Sequence, residues 1–416
     1  MRFRARGWIV AVVAISLSIC LSTTALAARG WTGPAALTRD GVTGLSSLHS
    51  LASDGRRLHL FYPRGDFTGG GHDTLLYRRS LDGGLTWEPE RQLFAIGGRF
   101  TEAFSNLSIA ARGDRVVVLF RSHDAENALL FARTSRDGGT TWGPRVRIDR
   151  VATDLKMGIS AVTISDAGIV VAWSVRSTGA IYTSISTDSG GSFSPRHRLA
   201  ITTFSFICGN PDYRDGMVGL AAEGKSVVLT WSDGPDGPCG PDTLYLRRST
   251  DGGMTWKARQ LLPDMGSITL GWAEVAVRGQ SVLVLLDSEG PGQLLLHSAD
   301  GGLTFQPRLL DPDPTTYPGD VAFAPDGEAM VALPETTFAD DGFTVKSSRL
   351  VTLSSSDGGS TWSSPRLAQS IADDGIGAPN LAFTGSTPAI AFYKSSSDFF
   401  RVDVWATVAT GDRSHP

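Results

Sequence analysis

The chain has 416 residues, of which 41% are hydrophobic and 19% are charged, and its formal net charge is −4. This length exceeds what one sandwich-type core usually holds, so the chain divides into domains or repeats one unit. The small negative charge, with no long acidic or basic block, argues against nucleic acid and anionic membrane surfaces as partners.

The N-terminus has the three regions of a secretory signal peptide. Three arginines (Arg2, Arg4 and Arg6) precede an uncharged apolar stretch, Trp8–Cys20, and Ala25-Leu26-Ala27 supplies a small-x-small cleavage pattern. An uncleaved anchor is the alternative, but a membrane span needs about 20 strongly apolar residues, and serines and threonines dilute this stretch. The sequence therefore predicts a signal peptide at 1–27 and a secreted or extracytoplasmic domain at 28–416.

Cleavage would leave 35 basic and 42 acidic residues and two cysteines, Cys208 and Cys239. Two cysteines in an exported chain usually form one disulfide, and these two fall in loops of the same repeat unit. We therefore expect a Cys208–Cys239 disulfide that holds long loops together and has no catalytic role.

One eight-residue pattern, Ser-x-Asp-x-Gly-x-Thr/Ser-Trp/Phe, occurs six times after the signal. Its aspartates are Asp82, Asp137, Asp188, Asp251, Asp300 and Asp357. The serines that begin successive copies are 55, 51, 63, 49 and 57 residues apart. A turn motif repeated at this interval is typical of a solenoid or a propeller.

The residue types of the pattern suit a tight turn between two strands. The Asp carboxylate can accept hydrogen bonds from backbone N–H groups a few residues further on. Glycine permits positive φ at little steric cost, and the final aromatic ring is large enough to fill the gap between neighbouring sheets.

Four short strands flank each copy of the pattern. In the second unit they are predicted at Asn106–Ala111, Arg115–Phe120, Leu129–Thr134 and Gly143–Ile148. Four antiparallel strands separated by polar turns correspond to one propeller blade, and no stretch beyond the signal has helical periodicity.

The two ends of the domain supply one more blade. Three strands follow the last copy, at Pro379–Phe383, Ala389–Tyr393 and Phe399–Val404, and Trp31–Leu37 resembles the strand that follows a turn motif. The predicted fold is therefore an all-β propeller of seven four-stranded antiparallel blades, with N- and C-terminal strands sharing one blade; six blades is the alternative. Sharing one blade would leave no long unpaired edge.

The six turn motifs resemble the Asp boxes, or BNR repeats, of the sialidase superfamily. The resemblance covers nearly the whole exported domain and implies the propeller fold. The same repeats occur in sialidases, in other glycosidases and in non-enzymatic binding propellers, so they do not define one activity.

Enzymatic members of that superfamily use an arginine cluster, an Asp acid/base and a Tyr–Glu nucleophile pair. By resemblance, the residues in matching places are Asp66 or Asp73 as acid, Tyr317 with Glu274 as nucleophile pair, and Arg99 or Arg214 on the substrate. The first inner strand, Gly44–Leu51, lacks the Arg-Ile-Pro sequence that carries the first arginine in the family. A bidentate guanidinium binds a sugar carboxylate, so this difference argues against ordinary sialidase chemistry.

Glu274 is predicted to face the channel. In the predicted alignment of the inner strands, uncharged residues take its place in five other blades: Ser50, Ser108, Thr163, Gly219 and Ala322. On this alignment Glu274 is a single carboxylate.

The long polar loops gather on one predicted face, over the central channel. They suggest a docking surface for a glycan or an extracellular protein. No metal-ligand spacing occurs among the histidines, and two aspartate groups (Asp311, Asp313 and Asp320; Asp233, Asp236 and Asp242) match no defined calcium loop, so no metal and no cofactor is expected. The leading hypothesis is a binding propeller without sialidase chemistry, and the alternatives are an exo-α-sialidase-type glycoside hydrolase and an assembly scaffold.

Overall fold

The computed structural model describes residues 30–38, 49–64, 73–96, 107–123, 126–152, 155–203, 216, 218–234, 243–263, 270–288, 293–311, 319–339, 344–395 and 402–410. These residues form seven antiparallel sheets, and no α-helix occurs among them. Accordingly, the described residues contain no helix that could cross a membrane.

Six sheets follow one another along the chain, each with its four strands in sequential order. Blades 1 and 2 consist of β3 (Ser50–Ser53), β4 (Leu58–Arg64), β5 (Asp73–Ser80), β6 (Arg91–Ile96), β7 (Ser108–Arg112), β8 (Arg115–His123), β9 (Asn127–Ser135) and β10 (Val146–Ala152). Blades 3 and 4 consist of β11 (Met157–Ile164), β12 (Ile169–Val175), β13 (Ala180–Ser186), β14 (His197–Ile201), β15 (Gly219–Glu223), β16 (Ser226–Asp233), β17 (Thr243–Ser249) and β18 (Gln260–Leu261). Blades 5 and 6 consist of β19 (Leu270–Arg278), β20 (Ser281–Ser288), β21 (Gln293–Ser298), β22 (Gln306–Asp311), β23 (Asp320–Phe323), β24 (Ala329–Phe338), β25 (Val345–Ser355) and β26 (Arg366–Ala372).

The seventh blade joins the two ends of the domain, which confirms the seven-blade prediction over the six-blade alternative. Its strands are β27 (Gly375–Thr384), β28 (Thr387–Ser395) and β29 (Val402–Thr410), completed by β1 (Gly30–Trp31) and β2 (Ala35–Ala36). Gly30 pairs with Thr410 and Ala35 pairs with Ala406. The N-terminal strand was predicted to be continuous, but it is split at 32–34, where Pro34 has no N–H to donate.

The core consists of seven apolar clusters, one between each pair of neighbouring blades. Between blades 1 and 2, for example, Phe61 and Tyr77 pack edge-on against Trp142, the aromatic residue of the second Asp box, with ring centroids 5.4 and 5.3 Å apart. The final aromatic residue of every box packs against the cluster between its own blade and the preceding one. The boxes therefore help to hold adjacent blades together.

The turn of each box is built around its Asp carboxylate. In the first box, Asp82 Oδ1 accepts hydrogen bonds from Ser80 Oγ (2.9 Å) and Thr86 N (2.9 Å), while Oδ2 accepts one from Thr86 Oγ1 (2.6 Å). Ser80 Oγ in turn accepts a hydrogen bond from Gly84 N (2.7 Å). The same contacts surround Asp137, Asp188, Asp251, Asp300 and Asp357.

Hydrogen bonding stabilises the ionised form of these carboxylates. Donation by the neighbouring threonines, Thr141 and Thr255, lowers the pKa of Asp137 and that of Asp251 to about 2. Both carboxylates are therefore ionised at any pH near neutrality.

Candidate functional site in the central channel

The seven inner strands share a short pattern at the points where they line the channel. One residue faces the channel, and a small apolar residue follows two places later in most blades. The channel-facing residues are Ser50, Ser108, Ala161, Gly219, Glu274, Asp320 and Asn380. They form one ring around a cavity of about 430 Å³, which is within the usual size range of small-ligand sites.

The cavity lies near the beginning of most inner strands. In an antiparallel blade, the connection that leads into the first strand and the one between the second and third strands lie at this same end. The cavity therefore lies at the end of the channel nearest the loops that were predicted to form a docking surface.

The ring is polar and uneven in charge. Glu274 and Asp320 are carboxylates on adjacent blades, while Asn380 and two serines provide uncharged hydrogen-bonding groups. Among the described residues that line the cavity, His49 is the one side chain that could carry a positive charge, and no arginine or lysine occurs. This part of the site suits hydroxyl or ammonium donors better than an anion.

Asp320 links two inner strands through its carboxylate. Oδ1 accepts a hydrogen bond from Val321 N (2.7 Å), and Oδ2 accepts one from Leu381 N of blade 7 (2.6 Å). Burial raises the pKa of Asp320 to about 7, although both backbone donors act in the opposite direction. Asp320 therefore changes protonation state near neutral pH while it still borders the cavity.

Ser108 and Gly219 show how other ring positions fit between neighbouring blades. Ser108 Oγ accepts a hydrogen bond from Val162 N of the next inner strand (3.0 Å). A Cβ on Gly219 would lie 2.6 Å from Thr230 Oγ1 and 2.7 Å from Ala273 O, closer than real Cβ contacts allow. Glycine is therefore needed for the close approach of blades 4 and 5.

The ring corrects the alignment of two inner strands. Asp320 and Ala161 line the cavity, whereas Ala322 and Thr163, which were aligned with Glu274, are absent from its lining. The error was an offset of two residues in each of these two strands. The match between Glu274-Val-Ala and Asp320-Val-Ala would have revealed it, and Glu274 is thus one of two carboxylates in the ring.

The other predicted site residues give no geometry to compare. Six of them lie outside the described residues: Asp66, Arg99, Cys208, Arg214, Cys239 and Tyr317. Asp73 is the first residue of β5, and its backbone pairs with Ile96. The catalytic roles and the disulfide therefore stay predictions. No group of three potential metal ligands occurs within the ranges that the structure describes.

The ring of blades, the Asp boxes and the channel cavity define a seven-bladed Asp-box propeller. The chain belongs to the BNR repeat-like domain family, whose model matches residues 13–264. The resemblance of the boxes to the BNR repeats of the sialidase superfamily is thereby confirmed.

Solved structures with similar folds have diverse functions. The chain is similar to a phage phi92 endosialidase (TM-score 0.55, 10% identity, 93% of this chain and 70% of that chain). It is also similar to a family PL25 ulvan lyase bound to -[GlcA(1-4)Rha3S]- (TM-score 0.57, 9% identity, 90% and 93%). A third similar structure is YCF48 bound to a D1 peptide (TM-score 0.48, 14% identity, 94% and 100%). At these identities the similarity concerns the fold alone, and the search of curated proteins found no match.

Proposed function

We propose that the protein is an exported binding propeller whose channel cavity holds an uncharged sugar of a glycan, without arginine-dependent sialidase chemistry. The observation that carries the proposal is the charge of the ring: Glu274 and Asp320 face the cavity, and no arginine is among its described lining residues. A sialic acid carboxylate would meet like charge there, whereas sugar hydroxyls would donate hydrogen bonds to these oxygens.

The size and composition of the cavity support a small, hydroxyl-rich ligand. A volume of about 430 Å³ suits one or two sugar rings, and serine hydroxyls and an amide complement the carboxylates around the ring. Export is proposed from the signal-like pattern of residues 1–27.

The binding test compares neutral and sialylated glycans on an array, with the full chain and two variants. At pH 8, where Asp320 is ionised, we expect neutral glycans to bind, and we expect Glu274→Gln and Asp320→Asn to weaken binding about tenfold or more, because each removes a charge-assisted hydrogen bond. Preference for sialylated glycans, or unchanged binding by both variants, would contradict the proposal. The N-terminal residue of protein recovered outside the producing cell tests export, and we expect Ala28.

The activity test addresses the glycoside hydrolase alternative. The full chain is incubated at high concentration with a fluorogenic α-sialoside across a range of pH, beside Tyr317→Phe. Turnover that disappears in Tyr317→Phe would establish an enzyme and overturn the proposed function; equal background in both proteins is the expected result.

A further inference from the structure

The perimeter of blades 2, 3 and 4 carries a concentration of positive charge that the net charge of the chain conceals. The residues after the Asp boxes of these blades, 143–152, 194–201 and 257–263, include seven arginines and lysines and one acid. We call the seven cations the basic strip: Arg145, Arg147, Arg150, Arg196, Arg198, Lys257 and Arg259. All seven are exposed, in a chain with 38 basic and 42 acidic residues overall.

The acids closest in sequence to the basic strip are already engaged. Asp149 is nearly buried (9% exposed); it accepts a hydrogen bond from Trp173 Nε1 (2.9 Å) and pairs with Arg196 (3.1 Å). The box carboxylates of the same blades are bonded within their own turns. Apart from Arg196, no member of the basic strip has an ion pair with any residue that the structure describes.

In blade 4, positive charge without a paired acid continues from the basic strip to the third strand. Arg247 lies on the third strand with its Nε buried and without a hydrogen-bond partner among the described residues. Burial and the positive charge of Arg259 lower the pKa of Arg247. These two guanidinium groups repel each other, and an anion between them would relieve that repulsion.

Three arginines of the basic strip are held in the same way in successive blades. Each stacks on an aromatic ring of the third strand in its own blade: Arg145 on Phe131 (4.8 Å), Arg196 on Tyr182 (4.7 Å) and Arg259 on Tyr245 (4.9 Å). Stacking restricts these long side chains, so less conformational entropy is lost when they bind an anion.

From this geometry we propose that the basic strip is a second binding surface, separate from the channel, for an extended acidic polysaccharide. Its cations are spread along three blades and do not converge on one pocket, which fits a repeating anion better than a small one. Guanidinium groups bind carboxylate and sulfate in bidentate fashion. The aromatic rings of the strip are covered by arginines, so they offer no free face for stacking nucleic-acid bases.

The test measures binding of the full chain to heparin and to polygalacturonate, with neutral dextran as the uncharged probe. The strip variant combines Arg147→Gln, Arg150→Gln and Arg198→Gln, three exposed residues with no described partner. The control variant combines Arg308→Gln, Arg366→Gln and Lys346→Gln, which makes the same change in net charge at exposed positions on blades 5 and 6.

We expect heparin or polygalacturonate to bind in low salt, with dextran at background, and the strip variant to bind at least about fivefold more weakly. The control variant should stay within about twofold of wild type. Binding should also weaken as salt rises, less steeply for the strip variant because fewer counterions are released. Equal losses in both variants, no binding of either acidic polysaccharide, or stronger binding to single-stranded DNA or to phosphatidylglycerol vesicles would overturn the proposal. Because none of these six residues lines the channel, failure here leaves the glycan proposal unaffected.

Discussion

Replacing Asp320 by asparagine should change how the stability of the propeller depends on pH. The carboxyl has an ordinary pKa of 3.8 and a folded-state pKa of about 7 because it is buried. The contribution of this carboxyl to the free energy of unfolding is therefore fully favourable below about pH 4 and is lost as the pH rises through 7. Asparagine does not ionise, and its amide oxygen can still accept the hydrogen bond from Leu381 N.

The size of the effect follows from the two pKa values. At about 1.4 kcal/mol per unit, the full shift corresponds to roughly 4 kcal/mol, and water in the channel screens part of it. Between pH 5 and pH 8 we expect the free energy of unfolding of Asp320→Asn to rise relative to wild type by about 2 kcal/mol. A lost hydrogen bond lowers the stability of the variant by a constant amount at every pH, about 1 kcal/mol, so the change with pH is the diagnostic quantity.

The assay is urea unfolding followed by tryptophan fluorescence at pH 5, 6, 7 and 8. Asp137→Asn is the matched control because the pKa of Asp137 is about 2, so its carboxylate stays ionised throughout this range. Its stability difference from wild type should therefore be flat. A flat difference for Asp320→Asn, or one that falls as pH rises, would refute the assignment of a buried carboxyl that titrates near neutrality.

Three further predictions concern the blades themselves. Asp137→Ala removes three hydrogen bonds of the second box and should lower the free energy of unfolding by about 1–2 kcal/mol in urea titrations; no change would contradict the structural role of that box. Gly139→Ala should lower the free energy of unfolding by more than about 3 kcal/mol, because its Cβ would lie 1.9 Å from Tyr77 Oη. Gly113→Ala is the control: its φ is also positive but the space around it is open, so the loss should be about 1 kcal/mol. Equal urea midpoints for the two variants would be inconsistent with the close packing of blades 1 and 2. Deleting 30–38 exposes the edge of β29 and should produce self-association in light scattering and a lower Tm; a monomer with unchanged Tm would show that the shared blade is dispensable.

The fold was predictable because its signal is repeated six times. Each box combines turn chemistry with a large aromatic residue at a constant offset, so errors in any one strand did not affect the number of blades. The fourth strand of blade 2 was predicted at Gly143–Ile148 and lies at Val146–Ala152. Extended residues that follow a box look like strand in the sequence, but the regular ladder with β9 begins only at Val146.

The channel ring was predictable only in part because its signal is weak within any one strand. Glu274 stood out because a charge among apolar residues is conspicuous, whereas Asp320 follows Asp311 and Asp313 in the sequence and was grouped with them. Pairing with the neighbouring strand sets which residue faces the channel, and a shift of two residues preserves the alternation of polar and apolar side chains. The basic strip was missed for a different reason: its residues are distant in sequence, and total charge says nothing about their common location.

The shared seventh blade also has a consequence for how the chain reaches its native state. Thr32 contacts Thr407 across a sequence separation of 375 residues, so the last pairing closes a loop that contains almost the whole chain. Loop closure of this length carries a large entropic cost, although that cost grows only slowly with length. Contacts so distant in sequence also make folding slow. Strand β1 therefore stays unpaired until β29 has been synthesised. Up to that moment the seventh blade has an open edge, and the protein is most exposed to aggregation and proteolysis.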